Sequence, residues 1–205
     1  MHTVFVDPQR CIGCGQCEFA CAVAHSKTRD PVMALSEAPG PRPRVHVQAG
    51  PMPNTAYPNK CHHCNPAPCI GVCPSGAISR DAAHDTVLIE GGKCIACAMC
   101  AMVCPFDVVT YHPQVVTGGE ARTVAVKCDG CIDRVRKGMV PACVETCKTG
   151  ALRFGDINEL IAADQRRGTA TVLAASAATE AGPGADGIAA WRATGASVAH
   201  LGGVR

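Results

Sequence analysis

A chain of 205 residues with 19 lysines and arginines against 17 aspartates and glutamates has a formal charge of +2 and no basic block, which gives no footing for nucleic acid. Four phenylalanines, two tyrosines and one tryptophan are too few for the usual aromatic share of a core, whereas sixteen cysteines are many, so the thiols are expected to hold the molecule together. No run approaches the ~18 to 20 apolar residues of a membrane span, and the N-terminus has no cationic region, apolar signal core or twin arginine; the expectation is a cytoplasmic chain, exported only alongside a signal-bearing partner.

In chain order, Val4–Val6 alternates as a strand and leads through a tight turn to Arg10 and a first cysteine group, Cys11, Cys14, Cys17 and Cys21. His25 and Ser26 behind it read as surface residues. After the proline-rich Pro39–Pro43, Arg44–Ala49 predicts a strand. Lys60 precedes the second group, Cys61, Cys64, Cys69 and Cys73, and Gly76-Ala77-Ile78 then reads as a helix end followed by a return to strand. Val87–Ile89, a turn and Lys93 introduce the third group, Cys94, Cys97, Cys100 and Cys104. Val108–Tyr111 and Thr123–Val126 predict a hairpin around Gly118-Gly119. Lys127 precedes the fourth group, Cys128, Cys131, Cys143 and Cys147, and Gly150-Ala151-Leu152 repeats the return to strand. Ile132–Met139 and Asp156–Arg167 predict helices, the second with Asp156 as N-cap and Ile157, Leu160 and Ile161 on one face. From Gly168 onward Ala, Gly, Thr and Ser predominate, and residues 168–205 read as a tail, with docking on a partner through Trp191 as the alternative.

Groups one and three share the spacing C-x2-C-x2-C-x3-C, while groups two and four keep its first and last steps. Disulfides suit a secreted chain, and cysteines three apart are poorly placed to pair. Structural zinc takes C-x2-C pairs well separated in sequence, and three thiolates crowded into seven residues suit it badly. An iron–sulfur cube fits: a short wrapped loop reaches it with three thiolates, and the residue three further on, entering a helix, points to a neighbouring cluster. Sixteen thiolates at four per cube predict four [4Fe-4S] clusters. If groups two and three exchange Cys73 and Cys104, Tyr57–Tyr111 becomes a self-contained two-cluster unit, and groups one and four pair around it.

An internal repeat supports two halves. Val4-Phe5-Val6 through Arg10-Cys11-Ile12-Gly13-Cys14 aligns with Val87-Leu88-Ile89 through Lys93-Cys94-Ile95-Ala96-Cys97. The expected fold is α+β: two nested ferredoxin-like, pseudo-twofold halves with short β-hairpins and short helices. The four-cluster domain spans 1–167, its outer half about 1–55 plus 112–167 and its inner half about 56–111. A cation precedes every group, and a cluster with four thiolates is anionic, so Arg10, Lys60, Lys93 and Lys127 are expected to offset cluster charge and tune potential. No Ser-His-Asp pattern, phosphate-cradling loop or G-x-G-x-x-G is present, and the histidines, His62 and His63 included, are not expected to catalyse or ligate.

Cys61-His-His-Cys64-Asn-Pro-Ala-Pro-Cys69-Ile-Gly-Val-Cys73-Pro74, Lys127-Cys-Asp-Gly-Cys131-Ile-Asp-Arg134 and Pro141-Ala-Cys143-Val-Glu-Thr-Cys147 resemble the four-cluster ferredoxin-type subunits of complex iron–sulfur oxidoreductases. These are the beta subunits of dimethyl sulfoxide reductase and formate dehydrogenase, and the carriers of carbon monoxide dehydrogenase, hydrogenase and tungsten aldehyde oxidoreductase. The resemblance implies a non-catalytic relay between a catalytic oxidoreductase subunit and a second redox partner. It also implies the ligand sets Cys11, Cys14, Cys17 and Cys147; Cys21, Cys128, Cys131 and Cys143; Cys61, Cys64, Cys69 and Cys104; and Cys73, Cys94, Cys97 and Cys100. Lys148 stands after Cys147 where proline follows Cys73 and Cys104, so the surroundings of that centre are expected to differ. The alternatives are a structural zinc module and a free-standing polyferredoxin without a dedicated enzyme.

Overall fold

The computed structural model describes residues 2–52, 55–116, 119 and 121–180. It divides into two compact units, residues 1–155 and 156–205. Trp191, and most of the tail expected from Gly168, lie outside the described residues.

The first unit is built from short pieces. Its strands are β1 (His2–Val6), β2 (His46–Ala49), β3 (Ala56–Asn59), β4 (Ile78–Asp81), β5 (Thr86–Ile89), β6 (Thr110–Val115), β7 (Ala121–Val126) and β8 (Leu152–Asp156). Its helices are α1 (Gln16–Ala24) and the single turns α2 (Pro31–Ala34), α3 (Pro68–Gly71), α4 (Met99–Met102), α5 (Ile132–Val135) and α6 (Ala142–Glu145). Among the described residues the strands form four two-stranded sheets, pairing β1 with β8, β2 with β3, β4 with β5 and β6 with β7. The last three pairs are antiparallel, with Val47 opposite Pro58, Ser79 opposite Leu88 and His112 opposite Val124. Two-stranded ribbons are marginal alone, so packing must supply the rest.

That packing comes from two cores in which cysteine stands among the apolar residues. One gathers Ala77, Ile78, Val87, Cys94, Cys100, Val124, Ala125 and Val126. The other gathers Cys17, Cys21, Val45, Cys143 and Leu152. Helix α1 packs on α6, and α3 on α4. The sequence repeat recurs as geometry. Asp7 and Glu90 each precede a 3-10 turn, Pro8–Arg10 and Gly91–Lys93, that delivers the first cysteine of its group. The Asp7 N–H donates to Ala151 O at 2.7 Å and the Glu90 N–H to Ala77 O at 2.8 Å, so the same bond closes each repeat.

Several elements differ from expectation for local reasons. Strand β3 is absent from the sequence pattern because Pro58, which has no N–H to donate, sits at its centre. The hairpin runs further out than Tyr111 and Thr123, because polar residues such as Gln114 and Arg122 still pair through their backbones; Gly118 lies outside the described residues. The helix expected over Ile132–Met139 stops at Val135, where Gly138 (φ 73°) turns the chain and the Met139 N–H donates to Arg134 O at 3.0 Å.

The second unit contains α7, Ile157–Glu180. Asp156 caps it as expected, its carboxylate accepting the Asn158 N–H at 2.9 Å. The helix continues past Arg167 because the alanines beyond Gly168 are strong helix formers.

Candidate metal centres

All sixteen cysteines are free thiols, and they lie where the binding loops turn. In the first and third loops the chain needs left-handed backbone twice, at Gly13 (φ 69°) and Gly15 (φ 71°), and at Ala96 (φ 55°) and Ala98 (φ 64°). Gly15 and Ala98 then open α1 and α4, which carry the third cysteine of each group inward. His63 (φ 50°) and Gly130 (φ 67°) make the equivalent bend in the other two loops.

The turns bring thiols from different groups together. One hollow is lined by Cys61, Cys64, Cys69 and Cys104, and a second by Cys73, Cys94, Cys97 and Cys100. Cys21 is close enough to Cys128 and Cys131 to feel their charge, as is Cys143 to feel that of Cys128, Cys131 and Cys21. Cys17 is similarly coupled to Cys11 and Cys14, while Cys147 packs on the core that contains Cys17. Burial pushes the Cys17 and Cys131 thiols up to about 11 and Cys21 to about 12. Thiols so placed do not ionise near neutrality on their own, and a polynuclear iron centre that displaces their protons fits them chemically.

Donors surround the sulfurs. Backbone N–H groups of His63, Ala96 and Gly130 each reach the cysteine two residues earlier at 3.4 Å, and Leu152 N–H reaches Cys147 Sγ at 3.4 Å. Ala125 N–H donates to Cys94 Sγ at 3.4 Å, and Arg44 N–H to Cys21 Sγ at 3.2 Å. Tyr111 hydroxyl lies 3.4 Å from Cys100 Sγ. Ser75 and Thr149 hydroxyls stand 3.7 Å from Cys73 and Cys147, another mark of the repeat.

The four cations are not equivalent. Arg10 pairs with Asp7 at 3.5 Å and Lys93 with Glu90 at 2.8 Å, both with exposed side chains. Lys60 and Lys127 are buried, donating to Cys61 O at 3.4 Å and to Cys128 O at 3.1 Å. The expectation of a surface His25 and Ser26 is corrected. Ser26 is buried and donates to Val23 O at 2.7 Å, while His25 Nδ1 lies 2.7 Å from Cys21 O and Nε2 lies 3.1 Å from Asp129. Arg44 completes this link at 2.5 Å from Asp129. Burial alone would raise the Asp129 carboxyl, but His25 and Arg44 hold it well below the usual carboxylate range. The His25, Asp129 and Cys131 ligand atoms lie within 4.8 Å of one another, yet Asp129 already belongs to Arg44. Sequence reading missed Arg44 and Asp129 because their 85-residue separation leaves no spacing signal.

With the geometry in hand, comparison with known proteins agrees. A 4Fe-4S dicluster domain family matches residues 53–157, and a second 4Fe-4S dicluster domain family matches 10–78. An iron-sulfur protein of Rhodospirillum rubrum is 39% identical over 160 residues, covering 76% of this chain and 82% of that protein. The electron transport protein HydN of Escherichia coli K12 is 38% identical over 180 residues, 83% of this chain and 98% of its own. The thiosulfate reductase electron transfer subunit PhsB of Salmonella typhi is 39% identical over 167 residues, 77% of each. The chain belongs to the 4Fe-4S ferredoxin-type electron-transfer family of dicluster proteins. Two dicluster domains imply four [4Fe-4S] clusters, for which the sixteen cysteines offer four sulfurs apiece. Among the described residues no helix is long and apolar enough to cross a membrane.

Proposed function

We propose that this protein is a non-catalytic relay subunit, passing electrons between the catalytic subunit of an oxidoreductase and a second redox partner. The observation that carries the reading is that all sixteen thiols are free and that eight of them line two hollows, four to each, within so small a fold. The names of its relatives, an electron transport protein and an electron transfer subunit, support it. Each cluster supplies storage for one electron; the chain supplies spacing, dry surroundings and hydrogen bonds to sulfur.

The ligand sets belong to this proposal: Cys11, Cys14, Cys17 and Cys147; Cys21, Cys128, Cys131 and Cys143; Cys61, Cys64, Cys69 and Cys104; Cys73, Cys94, Cys97 and Cys100. So does the nesting of one two-cluster half inside the other, supported by the paired Asp7–Ala151 and Glu90–Ala77 bonds. Arg10, Lys60, Lys93 and Lys127 offset cluster charge, with the larger share falling to the buried Lys60 and Lys127. A cytoplasmic compartment completes the reading.

Anaerobic purification with iron and acid-labile sulfide assay tests it. Sixteen irons and sixteen sulfides per chain, with a co-purifying large redox subunit, are expected. Zinc without sulfide would establish a structural module instead, and full clusters without any partner a free-standing polyferredoxin.

A further inference from the structure

The two buried lysines stand at the junction of two thiol sets. Lys60 is 3% exposed and Lys127 5%. Each is adjacent in sequence to one set and lies against the other. Lys60, just ahead of Cys61, lines a cavity of about 470 Å³ whose wall includes Cys128 and Gly130. Lys127, just ahead of Cys128, lines the hollow of Cys61, Cys64, Cys69 and Cys104, and its ammonium donates to Val87 O.

His63 bridges the same place. Its N–H donates to Cys61 Sγ at 3.4 Å. Its Nδ1 accepts the Val87 N–H at 3.0 Å, which puts the ring proton on Nε2. That nitrogen is buried without a hydrogen-bond partner, and a β-carbon built on Gly130 would stand 3.6 Å from it. Gly130 N–H in turn donates to Cys128 Sγ at 3.4 Å. An imidazole and two ammonium chains, with Thr86 and Val87 beside them, therefore stand between the two sets, in a medium that screens charge poorly.

We infer that Lys60 and Lys127 act crosswise, each raising the reduction potential of the cluster beside the other lysine as well as its own. The Cys61/Cys64/Cys69/Cys104 and Cys21/Cys128/Cys131/Cys143 clusters are then tuned as one. The inference rests on the ligand sets proposed above. Reduction places one electron on an anionic centre, with no bond made or broken, and a fixed ammonium nearby stabilises the added charge.

The test uses the full chain, reconstituted anaerobically, with potentials read by electron paramagnetic resonance during redox titration. Cys64→Ser and Cys131→Ser assign the transitions of the two sets. Lys60→Gln and Lys127→Gln are each expected to lower both of these transitions, changing the oxidised-to-reduced ratio about tenfold, which is about 59 mV for one electron. Lys60→Arg keeps the charge and is expected to restore both. Lys27→Gln, at an exposed surface position outside the four cations, changes either ratio less than about twofold. A shift confined to one set, or none, with sixteen irons retained, overturns the inference. Loss of iron in both glutamine variants but not in Lys60→Arg also overturns it, by making the charges structural. Wild-type protein with far fewer than sixteen irons would instead sink the ligand sets.

Discussion

Tyr111 shows how one side chain bears on one centre. Its hydroxyl lies 3.4 Å from Cys100 Sγ, and burial, followed by the neighbouring thiols, pushes the phenol above its ordinary range, so it stays a donor. A hydrogen bond to sulfur favours the more negative, reduced cluster. Tyr111→Phe removes it and is expected to lower the potential of the centre assigned to Cys73, Cys94, Cys97 and Cys100. The decrease should reach about 1 kcal/mol of reduction free energy, the net worth of one such bond, in a redox titration. The cysteines were legible in the sequence because ligand spacing is a local property. His25, Arg44 and Asp129 were not, because their meeting beside Cys21 depends on a fold that closes over 85 residues.

Elements in this protein are short because loops that wrap a cube leave little chain for regular structure. The strands flanking groups one and three could be read from alternation, and the glycines at 76 and 150 (φ 62° and 67°) marked the return to strand. β3 and the outer rungs of the β6–β7 hairpin could not, since proline and polar residues hide pairing that is purely backbone. Helix α7 is the exception in length, and Gly168 is its weakest interior position. Among the described residues no neighbour lies within 4 Å of a β-carbon placed there, so Gly168→Ala meets no clash with them. It is expected to stabilise the helix by about 1 kcal/mol. Circular dichroism through a thermal ramp would register the higher helical content.

At the scale of the molecule, the first unit has two small cores that share their volume with cysteine. Among the described residues the fully buried apolar side chains are small ones such as Val45, Val87 and Val124, and the strands pair in separate two-stranded ribbons rather than a continuous sheet. Cluster binding is therefore expected to supply much of the folding free energy. Stripping iron with a chelator under anaerobic conditions should open residues 1–155 to limited proteolysis and abolish their strand signal, and restoring iron and sulfide should reverse both. The buried thiols, at about 11 to 12, take protons back when the metal leaves, so stripping should also consume acid from a weakly buffered solution.

Of the sixteen thiols only Cys14 and Cys97 are exposed, and each stands two residues after an exposed isoleucine, Ile12 at 70% and Ile95 at 60%. Dioxygen arriving from solution meets sulfur at these two points before any other. Corrosion in air should accordingly begin there and work inward, with the metal nearest Lys60 and Lys127 surviving longest.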